Sequence, residues 1–216
     1  MEKKKNLALR CGVNLRDFKF DASTKTEEVL DKIRQLNKDR TIHGIVIKTP
    51  LPSTVNEDAV LQAISPIKDV DGCCNTNKGR LFKLGDCKRR AQERGLDSEI
   101  HYYNMVNLPS SALATLCFVE SYKLPLEKKK ATIIGRSESV GLPIALLLTH
   151  KDMTCQITGS HSELDGNMLK DSDYVISTQG TVQKVKGEWL KPQCTVIDIG
   201  PTYSATATGG RNRVEL

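Results

Sequence analysis

The stretch 130–150 contains the residues whose types and spacing most clearly indicate a chemical role. Residues 131–134 are apolar or β-branched, which is typical of a buried strand in a parallel sheet. Gly135 permits a tight turn, Ser139 is a candidate helix cap, and Pro143 suits a first helical turn. Unpaired backbone N–H groups and the positive end of the helix dipole converge at such a helix start. The stretch therefore predicts a site for an anion, of which a nucleotide pyrophosphate is the usual example.

The glycine spacing in this turn differs from the standard dinucleotide fingerprint. Gly135 and Gly141 are six positions apart, and Ser137 stands where the fingerprint has its second glycine. A P-loop is also excluded, because Val140 replaces its second glycine and no Lys-Ser or Lys-Thr pair follows. From these residues alone, a dinucleotide site and a strand-turn-helix unit that only packs remain equally open.

The elements around this turn alternate between strand and helix patterns. Strands are predicted at 15–20, 42–47, 154–158, 174–176 and 196–199, and helices at 4–11, 27–36 and 56–64. Such alternation is typical of an α/β fold with parallel, right-handed connections. At 216 residues, one large domain or two small ones are possible.

Composition narrows the class of protein further. The net charge of +6 is modest, and its basic runs carry no aromatic interleaving, which argues against nucleic-acid binding. Seven cysteines in an odd set without C-x-x-C spacing argue against a disulfide framework or a zinc site and favour a reducing compartment. Without a membrane-span-length apolar window or a signal-peptide core, we expect a cytoplasmic protein with no membrane partner.

Four motifs together resemble the bifunctional methylenetetrahydrofolate dehydrogenase/methenyltetrahydrofolate cyclohydrolases of one-carbon metabolism. They are Lys-Thr-Pro-Leu-Pro at 48–52, Pro-Ile-Lys-Asp-Val-Asp-Gly at 66–72, Gly-Arg-Ser at 135–137 and Val-Gly-Leu-Pro at 140–143. The resemblance runs from about residue 3 to residue 200. It implies two α/β domains, a folate-binding catalytic domain at 1–125 and an NAD(P)-binding domain at 126–216. The second is expected to be a Rossmann-type parallel sheet with helices on both faces.

The resemblance assigns roles to three residues of the first domain. Lys4 falls where the family has its catalytic lysine, and Asp71 falls on the acidic residue that binds the pterin ring. Lys48 falls where the family has Gln. A second ammonium there would either lower the pKa of Lys4 and make it a better base, or leave both lysines competing for one counter-ion and impair cyclohydrolysis. Of these two outcomes we favour impaired cyclohydrolysis, because hydrolysis depends on proton handling.

The cofactor side of the resemblance is carried by the turn and by two later loops. Arg136 resembles the family residue near the adenosine ribose, and Thr178 lies in the family's loop near the cofactor. No acidic residue directly follows the strand at 154–158, whereas Arg136, His161 and Ser162 could hold a 2′-phosphate. NADP is therefore preferred to NAD, although Glu163 lies close by. The predicted cofactor-binding residues are Gly135, Arg136, Ser137, Val140, Gly141, His161, Ser162 and Thr178.

The chain also departs from the family pattern in three places. It begins too close to Lys4 to include the family's preceding tyrosine, it stops before the family's Gly-Gly loop and final helix, and residues 86–107 form a charged insertion whose plain interpretation is a surface excursion. The family acts on tetrahydrofolate derivatives and is dimeric, so a homodimer is expected. The alternative is a catalytically inactive folate or nucleotide binder, or a regulatory partner of an intact enzyme.

Overall fold

The protein is described by a computed structural model that covers residues 2–85, 93, 107–159, 161–162, 164–180, 185–200, 202–205 and 211–214. The predicted insertion at 86–107, apart from its last residue and Glu93, lies outside the described residues, as does Glu163. Seven α-helices are described: α1 (Glu2–Arg10), α2 (Thr26–Lys38), α3 (Glu57–Gln62), α4 (Asn75–Phe82), α5 (Ser110–Ser121), α6 (Gly141–Thr149) and α7 (Gly166–Leu169). A 3-10 helix spans Gly187–Trp189.

Four parallel strands form the main sheet. They are β1 (Lys130–Ile134), β2 (Thr154–Thr158), β3 (Tyr174–Ser177) and β4 (Thr195–Asp198), in the order β2-β1-β3-β4. A separate antiparallel hairpin pairs β5 (Thr202–Ala205) with β6 (Arg211–Val214). The predictions of strands at 131–134, 154–158, 174–176 and 196–199 are confirmed to within one residue at each end, and so is the parallel α/β class of the fold.

The two faces of the sheet bury different side chains. Ile133 and Ile176 face a core that also contains apolar residues of α4, α5 and α6, whereas Ile134 and Val175 face Leu169 of α7. Successive residues of a strand point to opposite faces, so residues 131–134 of β1 and 174–176 of β3 are all buried because both faces are covered. Helices therefore lie on both faces, as predicted.

The N-terminal region has its own smaller core. The apolar face of α2, with Val29 and Ile33 buried, packs against α3 and Ile45. At the end of α2, the ammonium of Lys68 donates to the carbonyl oxygens of Leu36, Asn37 and Asp39 at 2.8–2.9 Å. A cation that binds the unpaired carbonyls at a helix C-terminus also opposes the negative end of the helix dipole. The predicted division of the chain at residue 125 stays a prediction.

Two predicted strands are wrong. Residues 15–20 form no strand with any of the described residues, and Phe18 instead lies under the ammonium of Lys32, at 4.3 Å from the ring centroid. Residues 42–47 form only an isolated parallel bridge, between Ile45 and Asp69. An alternating or apolar run shows that a segment suits a sheet, but a strand forms only where a neighbouring segment pairs with it along its length.

Candidate functional site

The turn between β1 and α6 is as tight as its glycines predict. Gly135 has φ +120°, and a Cβ atom there would stand 2.1 Å from Oγ1 of Thr178. A Cβ atom on Gly141 would stand 2.1 Å from the carbonyl oxygen of Gly135. Both positions therefore need glycine, and the helix start is drawn close against the end of β1.

The N-cap position of α6 is Val140, which makes no side-chain cap hydrogen bond, and Ser137 rather than Ser139 contacts the helix start. The backbone N–H of Gly141 donates to Oγ of Ser137 at 3.3 Å, and the N–H of Leu142 donates to the Ser137 carbonyl at 3.0 Å. Val140 is half-buried, and its carbonyl accepts from the N–H of Ile144 at 3.1 Å. The predicted cap at Ser139 is wrong because the helix begins two residues later, at Gly141.

This turn lies at the topological switch point of the sheet. The chain leaves β1 towards β2 on one side and returns to β3 on the other, so the connections diverge between the carboxyl ends of β1 and β3. There, the backbone N–H and the hydroxyl of Thr178 both donate to the carbonyl of Ile134, at 2.9 Å and 3.0 Å. Thr178 thus holds the loop after β3 against the turn. Open α/β sheets bind ligands in the crevice at this point.

A cation lies beside the end of β2. The guanidinium of Arg136 lies so close to Gly159 that a Cβ atom there would be 2.9 Å from Nε. The N–H of Gly159 donates to Oγ of Ser162 at 3.0 Å, and Arg136, His161 and Ser162 are exposed. The structure therefore brings Arg136 and Ser162 to the same stretch of backbone, with His161 next to Ser162 in the chain.

A buried carboxylate organises the turn that carries Asp71. Asp69 is 1% exposed and accepts from the N–H groups of Cys73 (3.1 Å) and Cys74 (2.9 Å) and from Nδ2 of Asn77 (2.9 Å). Burial raises the pKa of Asp69, but these hydrogen bonds outweigh it and leave the pKa below the ordinary 3.8. Sequence reasoning missed this residue. The signal was its position in a short acidic turn, where an Asp often binds backbone N–H groups of the residues that follow.

Asp71 itself remains partly open to solvent. Its carboxylate accepts from the hydroxyl of Ser110, the first residue of α5, at 3.4 Å. The next residue, Gly72, has φ +63°, and a Cβ atom there would stand 2.2 Å from the carbonyl oxygen of Asn107. The turn is therefore fixed on both sides of Asp71 while its carboxylate stays available as an acceptor.

Lys48 follows a segment that is hydrogen-bonded to the residues just before Asp71. The N–H of Ile45 donates to the carbonyl of Lys68 at 2.6 Å, and the N–H of Val70 donates to the carbonyl of Ile45 at 3.4 Å. This parallel bridge lies three residues before Lys48 and two before Asp71, so both residues continue from one pair of adjacent segments. Lys48 is exposed. Lys4 lies in α1, and its side chain is outside the described part of the structure.

The thiol of Cys73 does not add a nucleophile to this site. Burial, followed by the charges of Asp71 and Asp69, raises its pKa to about 11. Since the thiolate is the reactive form, Cys73 is inert near neutral pH.

One ion pair connects the two halves of the site. Nζ of Lys78, in α4, lies 2.6 Å from Oε2 of Glu138, in the turn between β1 and α6. Helix α4 begins directly after the Asp69 turn, and Leu81 in the same helix packs into the core below the sheet. Helix α4 therefore follows the Asp71 turn in the chain and contacts the switch-point turn through Lys78.

The described part of the chain contains neither a candidate metal centre nor a candidate membrane span. Within those ranges, no group of three or more His, Cys, Asp or Glu side chains has the arrangement of a metal site. Over the same residues, no helix combines the length and the apolar character needed to cross a bilayer.

The sheet, its switch-point turn and the cation beside it define the class of protein: an α/β protein with a Rossmann-type nucleotide-binding domain. Comparisons with known proteins give the family. Residues 1–71 match the family model described as "Tetrahydrofolate dehydrogenase/cyclohydrolase, catalytic domain", and residues 109–213 match its "NAD(P)-binding domain". The chain belongs to the tetrahydrofolate dehydrogenase/cyclohydrolase family.

Individual relatives agree with this assignment. The chain is 33% identical over 205 residues to the bifunctional protein FolD of Parvibaculum lavamentivorans, covering 95% of this chain and 62% of the relative. For FolD of Clostridium tetani the identity is 28%, with 93% and 65% covered. The chain thus spans less than two thirds of the length of these curated relatives.

Two solved structures share the fold. The FolD dehydrogenase/cyclohydrolase of Campylobacter jejuni superposes with a TM-score of 0.83 at 27% identity, covering 98% of this chain and 68% of that one. The Trypanosoma brucei enzyme, solved with NADP and an inhibitor, gives a TM-score of 0.84 at 28% identity, with 99% and 67% covered.

Replacing Asp69 with Asn tests whether its charge holds the Asp71 turn. The amide would present N–H groups to donors that now bind a carboxylate, so the free energy of unfolding should fall by about 1–3 kcal/mol. Because the folded-state pKa is lowered, wild-type stability should drop as the pH falls from 3.8 through that lowered value, and D69N should lack this step. Urea unfolding across pH measures both effects.

The exposed control D21N should change the free energy of unfolding by less than about 0.5 kcal/mol. Equal effects of the two variants would contradict the role of Asp69.

Proposed function

We propose that this protein oxidises 5,10-methylenetetrahydrofolate to 5,10-methenyltetrahydrofolate with NADP, and that its hydrolysis of the methenyl product is impaired. The observation that carries the proposal is the Lys78–Glu138 contact of 2.6 Å. It joins α4, which begins just after the Asp71 turn, to the switch-point turn, and so supports a common cleft for a pterin and a nicotinamide.

Asp71 is proposed to bind the pterin ring. A carboxylate that accepts two parallel N–H bonds suits the amino-pyrimidine edge of a pterin, and such charge-assisted pairs are strong and directional. The hydrogen bond from Ser110 and the constrained backbone at Gly72 orient Asp71 before the substrate arrives. Pre-positioning of this kind lowers the entropic cost of reaching a reactive geometry.

The dinucleotide is proposed to bind along the turn and the end of β2. When bound, the nicotinamide supplies the hydride acceptor. The N-terminus of α6 and the backbone at Gly135 and Gly141 would bind the pyrophosphate. Arg136 and Ser162, with His161 beside them, would bind a 2′-phosphate, which supports NADP over NAD. The relative from Trypanosoma brucei was solved with NADP, which supports the same choice.

Proton handling is assigned to Lys4 and Lys48. Lys4 is proposed as the base for hydrolysis, and Lys48 replaces the Gln that accompanies it in the family pattern. The Ile45–Asp69 bridge brings Lys48 to the segment of Asp71. Two ammonium groups at one site would compete for a single counter-ion, which disturbs hydrolysis more than hydride transfer. We further propose a cytoplasmic homodimer that acts on tetrahydrofolate derivatives.

Reduction of NADP by methylenetetrahydrofolate, followed by absorbance, tests the dehydrogenase. Wild-type protein should reduce NADP with a higher kcat/KM than NAD. D71N should lose at least about tenfold in kcat/KM, because it replaces a charged acceptor of the pterin with a neutral amide. The matched variant D58N, exposed on α3, should keep wild-type activity. Folate binding without turnover in the wild type would favour the alternative of an inactive binder.

Exchange of Lys48 for Gln tests the assignment of proton handling. Hydrolysis of methenyltetrahydrofolate should rise by about tenfold or more, since a well-placed acid or base contributes at least that much. Dehydrogenase activity should change by less than about threefold, because it depends mainly on positioning. K25Q, at an exposed lysine just before α2, is the control for charge removal. Unchanged hydrolysis in K48Q would disprove the role given to Lys48.

A further inference from the structure

A carboxylate occupies the turn that should attract anions. Glu138 lies two residues after Arg136 and three before the first residue of α6, and its side chain is 74% exposed. The helix N-terminus favours negative charge, whereas a free carboxylate beside it repels a pyrophosphate. An unpaired Glu138 carboxylate in this turn would therefore weaken the binding of a dinucleotide.

Lys78 of α4 supplies a positive charge that balances this carboxylate. Its ammonium lies 2.6 Å from Oε2 of Glu138. The hydrogen bond from Lys78, and then its positive charge, hold the pKa of Glu138 below its ordinary 4.5. Glu138 is therefore ionised near neutral pH, and its charge is matched by a cation from α4.

The helix that supplies this cation is held firmly. Cys74, which precedes α4, is buried and donates its N–H to Asp69, and Asn77 inside the helix donates to the same carboxylate. Leu81, one turn after Lys78, packs into the core of the sheet. The Lys78 ammonium is thus positioned by the same turn that presents Asp71.

We infer that Lys78 is a positioning residue for the dinucleotide. By pairing with Glu138, Lys78 neutralises the carboxylate in the switch-point turn and restrains that turn. Dinucleotide affinity therefore depends on the Asp71 turn, which positions Lys78. This inference rests on the proposed function, because it concerns the same cleft. It predicts that only the loss of Lys78 weakens dinucleotide binding. Loss of Lys78 leaves an unpaired anion in the turn, whereas loss of the Glu138 charge leaves an unpaired cation.

Calorimetric titration with NADP tests the inference on the full chain. K78M should raise the Kd by roughly threefold to thirtyfold, the effect of one uncompensated charge at several ångströms from the phosphates. E138Q should have a Kd equal to or below that of the wild type, and the double variant K78M/E138Q should return to within about twofold of the wild type. The increase in K78M should shrink at high salt. K83M removes the same charge at an exposed residue just after α4 and should leave the Kd unchanged.

The outcomes separate three explanations. If the ion pair only latches the two regions, K78M and E138Q break the same contact and weaken binding equally, which overturns the inference. A Kd for K78M within twofold of the wild type, or a double variant that stays as weak as K78M, also overturns it while leaving the proposed function intact. Wild-type protein that binds neither NADP nor NAD overturns the proposed function and the inference together. Thermal melting of each variant identifies any loss that comes from unfolding.

Discussion

The buried carboxylate of Asp69 is the interaction on which the rest of the site depends. Leaving an ionised group in a nearly closed environment costs free energy unless hydrogen bonds replace its water, and three donors do so here. Two of these donors are backbone N–H groups and the third is a side chain of α4. One charge therefore determines the course of the turn, the start of α4 and the direction of Asp71.

The parallel sheet provides the complementary constraint. Its strand order creates a crevice between the carboxyl ends of β1 and β3, and Gly135 and Gly141 allow the backbone to close that edge tightly. Thr178 then binds the adjacent loop to the same edge. Helix α4 connects the sheet and the Asp69 turn. Its residue Leu81 packs into the core of the sheet. Its residue Lys78 pairs with Glu138. The Lys78–Glu138 ion pair therefore connects α4 to the turn between β1 and α6.

The sequence predicted the elements of the sheet because their signals are local. Residues 131–134 and 174–176 are apolar, aromatic or β-branched, which suits strands covered on both faces, and the glycine pair marks the turn between β1 and α6. The same local signals failed at 15–20 and 42–47, where the pattern suits a strand but the described chain offers no continuous partner. Pairing is a property of two segments, and neither segment encodes it alone.

The contacts that connect the elements of the candidate site could not be predicted from local sequence patterns. Asp69 and Asp71 are two residues apart in one short acidic motif, and only their burial separates an anchor from an available carboxylate. Lys78 and Glu138 are 60 positions apart, and each is an ordinary surface residue by type. Their roles follow from tertiary contacts that pattern and spacing do not contain. The resemblance predicts the role of Asp71, whereas the geometry shows which contacts fix the turn around it.

In the proposed complex, a folate and a dinucleotide lie against each other in one cleft of this chain. Inter-ligand nuclear Overhauser effects in a mixture of the protein, NADP and a non-reacting folate analogue measure this most directly. We predict cross-peaks between the nicotinamide C4 proton and protons of the pterin end of the analogue, lost when excess 2′-phospho-ADP-ribose displaces NADP. Binding of both ligands without such cross-peaks would place them in separate sites and contradict the account.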